Sequence, residues 1–102
     1  REQDAMARPW TFLSNHGHVL VVLHHEPDAR IEDVAVSVGI TPRAAQMIIR
    51  DLVAAGHVER TRAGRRNHYR IVPGSLRHPE ESFVDLGRFL ALFDREEPGA
   101  PG

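Results

Sequence analysis

The chain has 102 residues and no cysteine, so we expect one domain with a short appendage, and disulfides and thiolate metal sites are excluded. The net charge is −1, but residues 41–70 carry seven arginines and two acids, whereas residues 1–40 and 71–102 each carry a net charge of −3. A basic segment between acidic flanks is typical of a phosphate-binding face. No apolar run approaches the length of a membrane span, so no membrane partner is expected, and the absence of cysteine fits a cytoplasmic protein.

The N-terminal part predicts an arm followed by a helix. Residues 1–9 are polar and end in a proline, which indicates a flexible arm. Ser14 is a good N-cap, so a first helix is expected over residues 15–26, and Pro27 and Asp28 end it. A short strand is expected over residues 29–31.

Two further helices with a tight turn between them are expected in the middle of the chain. The second helix is predicted over residues 32–38, and Gly39 stops it because glycine adopts the left-handed conformation without a Cβ clash. Thr41 caps a third helix that extends to about residue 55, with Pro42 at its first position and Gly56 at its end.

A β-hairpin with a basic tip follows the third helix. Residues 57–62 alternate like a strand, residues 63–66 form a glycine-containing turn, and residues 67–72 return as a second strand. Tyr69 alternates opposite to His68, so we expect its ring to pack inward.

The C-terminal part predicts one long apolar helix over residues 80–95, after the breaks at residues 73–74 and 78–79. Its apolar stripe is too wide for a free helix, so it either folds back on its own domain or packs against a second subunit. We favour the second, and residues 75–95 are interpreted as a dimerisation element and residues 96–102 as a disordered tail. The residues expected at the dimer interface are Trp10, Phe12, Phe83, Leu86, Phe89, Leu90 and Phe93.

The third helix has two chemically distinct sides. At about 100° per residue, Ala45, Ile48, Ile49 and Leu52 cluster on one side, and two arginines and a glutamine lie opposite without an acid. Arginine can bond guanine and glutamine can bond adenine, which predicts a helix that reads base edges. The residues expected to contact DNA are Thr41, Pro42, Arg43, Gln46, Met47, Arg50, Arg60, Arg62, Arg65, Arg66, Asn67 and His68.

Three segments are distinctive in combination, namely WTFLSNHGHVLVVL, DVAVSVGITPRAAQMIIRDLVAAGHVER and GRRNHYRI. Together they resemble the small winged helix-turn-helix regulators of the MarR-like and ArsR-like families. The resemblance implies a mainly α fold with a β-hairpin, in which a winged helix domain (residues 10–74) carries an added C-terminal helix. It also implies a homodimeric transcriptional regulator specific for double-stranded DNA, which would be associated with the nucleoid. The helix at residues 41–55 would enter the major groove, and the wing at residues 58–72 would contact the backbone or the minor groove.

Other functions are less well supported by the sequence. There is no nucleophile motif, phosphate loop or pair of inward carboxylates, so we expect no enzyme activity and no cofactor. The pairs His16/His24 and His18/His25 lie two turns apart, too far to share a metal ion, and no metal site is expected. Two alternatives stay open, a protein-interaction module and a regulator with an effector pocket at the dimer interface, although no particular effector is indicated.

Overall fold

The computed structural model describes residues 11–74, 76 and 78–94. The expected arm, Trp10 and the expected tail lie outside these residues. The described part is mainly helical with one antiparallel β-hairpin, a layout compatible with a winged helix. Its elements in chain order are α1 (Asn15–His25), α2 (Ile31–Val38), α3 (Pro42–Ala54), β1 (Val58–Ala63), β2 (Arg66–Ile71), a 3₁₀ turn (Pro79–Glu81) and α4 (Leu86–Ala91).

The ends of the first three helices follow from local side-chain chemistry, as the sequence predicts. The Ser14 hydroxyl accepts a hydrogen bond from the Gly17 amide, which satisfies one of the free N–H groups at the start of α1. Gly39 ends α2 with φ at +87°, the left-handed conformation that allows the sharp turn into α3. Thr41 caps α3 through its hydroxyl.

The core lies where the three helices meet the hairpin. Tyr69 is only 2% exposed, which confirms that its ring packs inward. The side of α3 predicted to face inward is buried, so the helical periodicity identified it correctly. The buried residues are Val19, Leu20, Leu23, Val34, Ala35, Ala45, Ile48, Ile49, Leu52, Val58, Tyr69, Leu86 and Leu90.

The hairpin is tighter than predicted. β1 and β2 pair in the register Val58↔Ile71 to Ala63↔Arg66, so only residues 64–65 form the turn. Gly64 has φ at +66°, a conformation that glycine adopts without steric cost, and this allows the two-residue connection.

The short strand predicted over residues 29–31 is not formed, because α2 already begins at Ile31. Just before this segment, the Tyr69 N–H of β2 donates a backbone hydrogen bond to the Pro27 carbonyl at 2.8 Å. The two strands of the hairpin therefore form the whole sheet of the described residues.

The single C-terminal helix predicted over residues 80–95 is wrong. Residues 79–81 form a 3₁₀ turn, and α4 begins only at Leu86, where the Asp85 carboxylate accepts a hydrogen bond from the Arg88 amide. Because this cap restarts the helix, α4 is six residues long and Phe83 precedes it. Residue 95 lies outside the described residues.

The short α4 folds back onto the chain's own core. Leu86 and Leu90 are fully buried there, with no exposed surface. The sequence assigned both to a dimer interface, but the structure places them inside the monomer, because Leu86 and Leu90 are one helical turn apart and face α1. Within the described residues, no helix combines the length and apolarity that crossing a membrane requires.

Candidate nucleic-acid interface

The exposed side of α3 forms the first wall of the site. Arg43, Gln46, Met47 and Arg50 are all exposed, opposite the buried side of the same helix. The cap at Thr41 fixes the first turn of α3 and leaves its hydroxyl engaged with the Ala44 amide at 3.1 Å. The helix therefore presents polar and basic side chains from a rigid support.

The hairpin forms the second wall. Side chains alternate along each strand, so Arg60, Arg62 and Asn67 share a face with the buried Tyr69. This face looks toward α3 near the base of the hairpin, and it continues beyond the core toward the tip. The opposite face carries Glu59, Thr61, His68 and Arg70, and Arg66 lies at the end of the ribbon beside the turn.

Two adjoining depressions lie between α3, the start of α2 and the hairpin, and they share Ile31, Gln46, Asn67 and Tyr69 in their linings. Together they are called the groove. Its inner part is lined by Gln46 and Arg50 from α3 and by Arg60 and Asn67 from the hairpin, with Tyr69 at its floor. Its outer part is lined by Pro42, Gln46, Arg65, Arg66 and Asn67. Seven of the residues predicted to contact DNA thus line one groove, namely Pro42, Gln46, Arg50, Arg60, Arg65, Arg66 and Asn67.

Most arginines around this groove have no acidic partner. Ion pairs with the carboxylates of residues 11–74, 76 and 78–94 are absent for Arg43, Arg50, Arg60, Arg65 and Arg66. Glu32 lines the outer part of the groove but forms no ion pair with these arginines. The inner part is lined by no acid. The groove is therefore a cationic surface in which Glu32 is the one acid of the described lining.

The remaining predicted DNA contacts lie elsewhere. Arg43 and Met47 are exposed on α3 but do not line the groove, and Thr41 serves as the cap. Arg62 donates from Nε to the Gly64 carbonyl at 3.2 Å. His68 lies on the opposite face of the hairpin, with Nδ1 at 2.7 Å from Asp28 Oδ1.

One groove residue was missed by the sequence analysis. Arg30 is exposed, precedes α2 and lines the outer part of the groove beside Arg65 and Arg66. It lies outside the basic segment at residues 41–70, so counting charge along the chain did not find it. Its position immediately before α2 was the available signal.

Histidines provide the side-chain hydrogen bonds that join separate parts of the fold. His16 lies 2.9 Å from Asp51, His24 lies 2.6 Å from Asp94, and His25 Nε2 lies 2.7 Å from the Phe93 carbonyl. In the part of the chain that the structure describes, no group of three metal-ligating side chains is close enough to hold an ion.

An exposed apolar surface lies away from the groove. Phe83 is 86% exposed and Leu92 is 79% exposed, and both line a shallow depression with Val84 and Phe89. Phe89 also contacts Phe93 edge to face, with ring centroids 5.3 Å apart. Phe93 in turn lines a neighbouring apolar groove with Phe12. Of the predicted dimerisation residues, Phe83 and Phe89 thus line this surface, and Phe12 and Phe93 line the neighbouring groove.

Comparison with known proteins adds no family assignment: no protein-family model and no curated protein matches the sequence.

Proposed function

We propose that this protein is a winged helix transcriptional regulator that binds double-stranded DNA. In this proposal α3 enters the major groove and the β1–β2 hairpin, the wing, contacts the backbone or the minor groove. The observation that carries the proposal is the groove between α3 and the wing, which is lined by arginines from both elements without ion pairs to described residues.

The chemistry of the groove fits a nucleic acid better than a neutral ligand. Binding of phosphates to unpaired arginines releases counterions from DNA, which supplies most of the affinity for any sequence. Gln46 and Arg50 are exposed on α3 and can offer hydrogen bonds to base edges, which would supply sequence preference. The small net charge of the whole chain does not oppose this, because the acids lie mostly outside the groove.

The first experiment is selection of genomic fragments by the purified protein, followed by a salt series on an enriched fragment and on random DNA. A sequence-specific regulator binds the enriched fragment at least about 10³-fold more tightly than random DNA. Equal, weak binding to both would leave only non-specific phosphate binding. Binding to neither would overturn the proposal.

The double variant R65A/R66A tests the wing. Both arginines line the outer groove without an ion pair to a described residue. Because DNA affinity falls as salt rises, removal of the two charges is expected to make the slope of log K against log salt less steep by about two units. The control is Arg70→Ala, which removes a hairpin charge that is already paired with Glu59 at 2.7 Å. An unchanged slope in R65A/R66A would contradict the assigned role of the wing.

We also propose that the protein acts as a homodimer through the apolar surface around Phe83, Phe89 and Leu92. Exposed aromatic side chains of this kind favour association, and a twofold dimer would match two half-sites about one turn of DNA apart. Both charge signs border the surface, with Asp85 and Arg88 among its lining residues, so it can be complementary to itself.

A further inference from the structure

The wing is tied to the rest of the molecule by the loop that follows α1. The Tyr69 amide donates to the Pro27 carbonyl at 2.8 Å, and the neighbouring His68 imidazole lies 2.7 Å from the Asp28 carboxylate. Because consecutive residues of a strand point to opposite faces, the loop holds β2 both by its backbone and by a side chain on its outer face.

The contact between His68 and Asp28 is the outermost of these ties. Beyond it, the side-chain hydrogen bonds of the described hairpin stay within the hairpin, from Thr61 to the His68 carbonyl, from Arg62 to the Gly64 carbonyl, and from Asn67 to the Tyr69 hydroxyl. The tip is therefore a two-stranded ribbon, and such a ribbon has little stability of its own in water.

The angle at which this ribbon leaves the core decides where the tip arginines lie. Arg65 and Arg66 line the outer groove opposite Pro42 and Gln46 of α3. A small rotation of the ribbon about the cross-strand pair Arg60–Tyr69 would widen or close this groove. The loop after α1 is the part of the chain positioned to prevent that rotation.

We propose that Asp28 and His68 are positioning residues for DNA binding, whose hydrogen bond fixes the wing tip relative to α3. This inference rests on the proposed function. Neither residue lines the inner groove, and the pair acts by ordering Arg65 and Arg66 before DNA arrives. A tip that is already ordered loses less conformational entropy on binding, which raises affinity without any new contact to DNA.

Two substitutions separate the hydrogen bond from the mere presence of histidine. His68→Leu removes the donor, whereas His68→Asn keeps an N–H donor at the position that Nδ1 occupies. The matched control is His24→Leu, which removes an equivalent imidazole–carboxylate pair, that with Asp94 at 2.6 Å, far from the wing. All three variants keep every arginine of the groove.

Two measurements are made on the full chain, namely ¹⁵N relaxation of the backbone amides of residues 62–66 in the free protein and a salt series on the selected DNA fragment. We expect His68→Leu to lower the order parameters of the tip to below about 0.6, whereas the wild type, His68→Asn and His24→Leu stay near about 0.85. We expect His68→Leu to weaken DNA binding about tenfold and to leave the salt slope nearly unchanged, because every arginine of the groove is kept and the loss comes from ordering the tip on binding.

The outcomes distinguish this inference from the function on which it rests. If the wild type binds DNA and His68→Leu binds with the same affinity, the positioning role is overturned. If His24→Leu loses as much affinity as His68→Leu, the effect is general loss of structure and the role is also overturned. If the wild type binds no DNA, the proposed function fails, and the relaxation data still decide whether the pair orders the tip.

Discussion

The arginines of the wing differ in what surrounds them, although they lie within eleven residues of sequence. Arg70 donates from Nη2 to Glu59 at 2.7 Å on the outer face, so its charge is already paired. Arg60 lines the inner groove and has no ion pair with a described carboxylate. On the proposed function, an arginine without an ion pair, such as Arg60, is therefore a better candidate for a phosphate contact than one that is already paired, such as Arg70.

Arg60→Ala and Arg70→Ala form a matched pair of variants at the residue scale. Each removes one positive charge from the hairpin, but only Arg60 is unpaired and faces α3. We expect Arg60→Ala to reduce the salt slope of DNA binding by about one unit and Arg70→Ala to leave it nearly unchanged. Fluorescence anisotropy over a salt series measures both. Equal salt slopes for the two variants would show that a position in the groove does not increase an arginine's contribution to DNA binding.

The cap of α3 gives a second prediction at the residue scale. Thr41→Ala removes the hydroxyl that accepts from the Ala44 amide at 3.1 Å, and we expect the free energy of unfolding to fall by about 1 kcal/mol. Thr41→Ser keeps the acceptor and is expected to retain most of that stability. Urea denaturation measures the difference, and similar losses in both variants would mean that the methyl group of Thr41 matters more than its hydroxyl.

At the scale of elements, the sequence predicted helices well where one face is apolar and the ends carry capping residues. The buried side of α3, the glycine that ends α2 and the inward ring of Tyr69 all follow from local patterns. Residues 80–95 did not follow, because periodicity shows which side chains share a face but not what covers that face. Leu90 fits an intersubunit helix and a helix folded back on its own core equally well.

The site shows the same division between local and tertiary information. Local pattern identified the residues of α3 and the wing that line the groove. The sequence also assigned His68 to the DNA interface. It could not reveal the contact of His68 with Asp28, forty residues earlier in the chain, because that contact depends on the tertiary fold. Arg30 was missed for the same reason, because the fold brings it next to the wing tip.

The two leucines of the C-terminal helix allow a test of its packing. Leu90 is fully buried and Leu92 is 79% exposed. We expect Leu90→Ala to lower the free energy of unfolding by about 2 to 5 kcal/mol, because it leaves a cavity between α4 and α1. Leu92→Ala is expected to change it by about 0.5 kcal/mol or less. Comparable losses at low protein concentration would show that Leu92 also packs within the monomer.

At the scale of the whole molecule, the fold separates a cationic groove from an apolar surface. The groove is built by α3 and the wing, and the apolar surface by residues around α4. The two surfaces share no lining residue. On the proposed function, this separation would let one chain bind DNA and a second copy at the same time.

The double variant F83S/L92S tests the association. Both side chains are largely exposed, so the monomer is expected to stay folded while the dimer is weakened. Sedimentation velocity is expected to show a dimer for the wild type and a monomer for the variant. A wild type that stays monomeric over the accessible concentration range would contradict the dimer proposal. A lysate partner captured by the wild type and not by the variant would instead support the protein-interaction alternative.

The two-residue turn of the hairpin has a consequence for proteolysis. Arg65 follows the left-handed Gly64 at an exposed tip, and Arg66 begins β2, so trypsin meets two adjacent cleavage sites on a protruding loop. A nick at this point leaves β1 and β2 on separate fragments, each with the core residue at its base, Val58 or Tyr69. If DNA covers the wing, it is expected to slow this cleavage. The rate with and without DNA would therefore report contact between the wing and DNA in unlabelled protein.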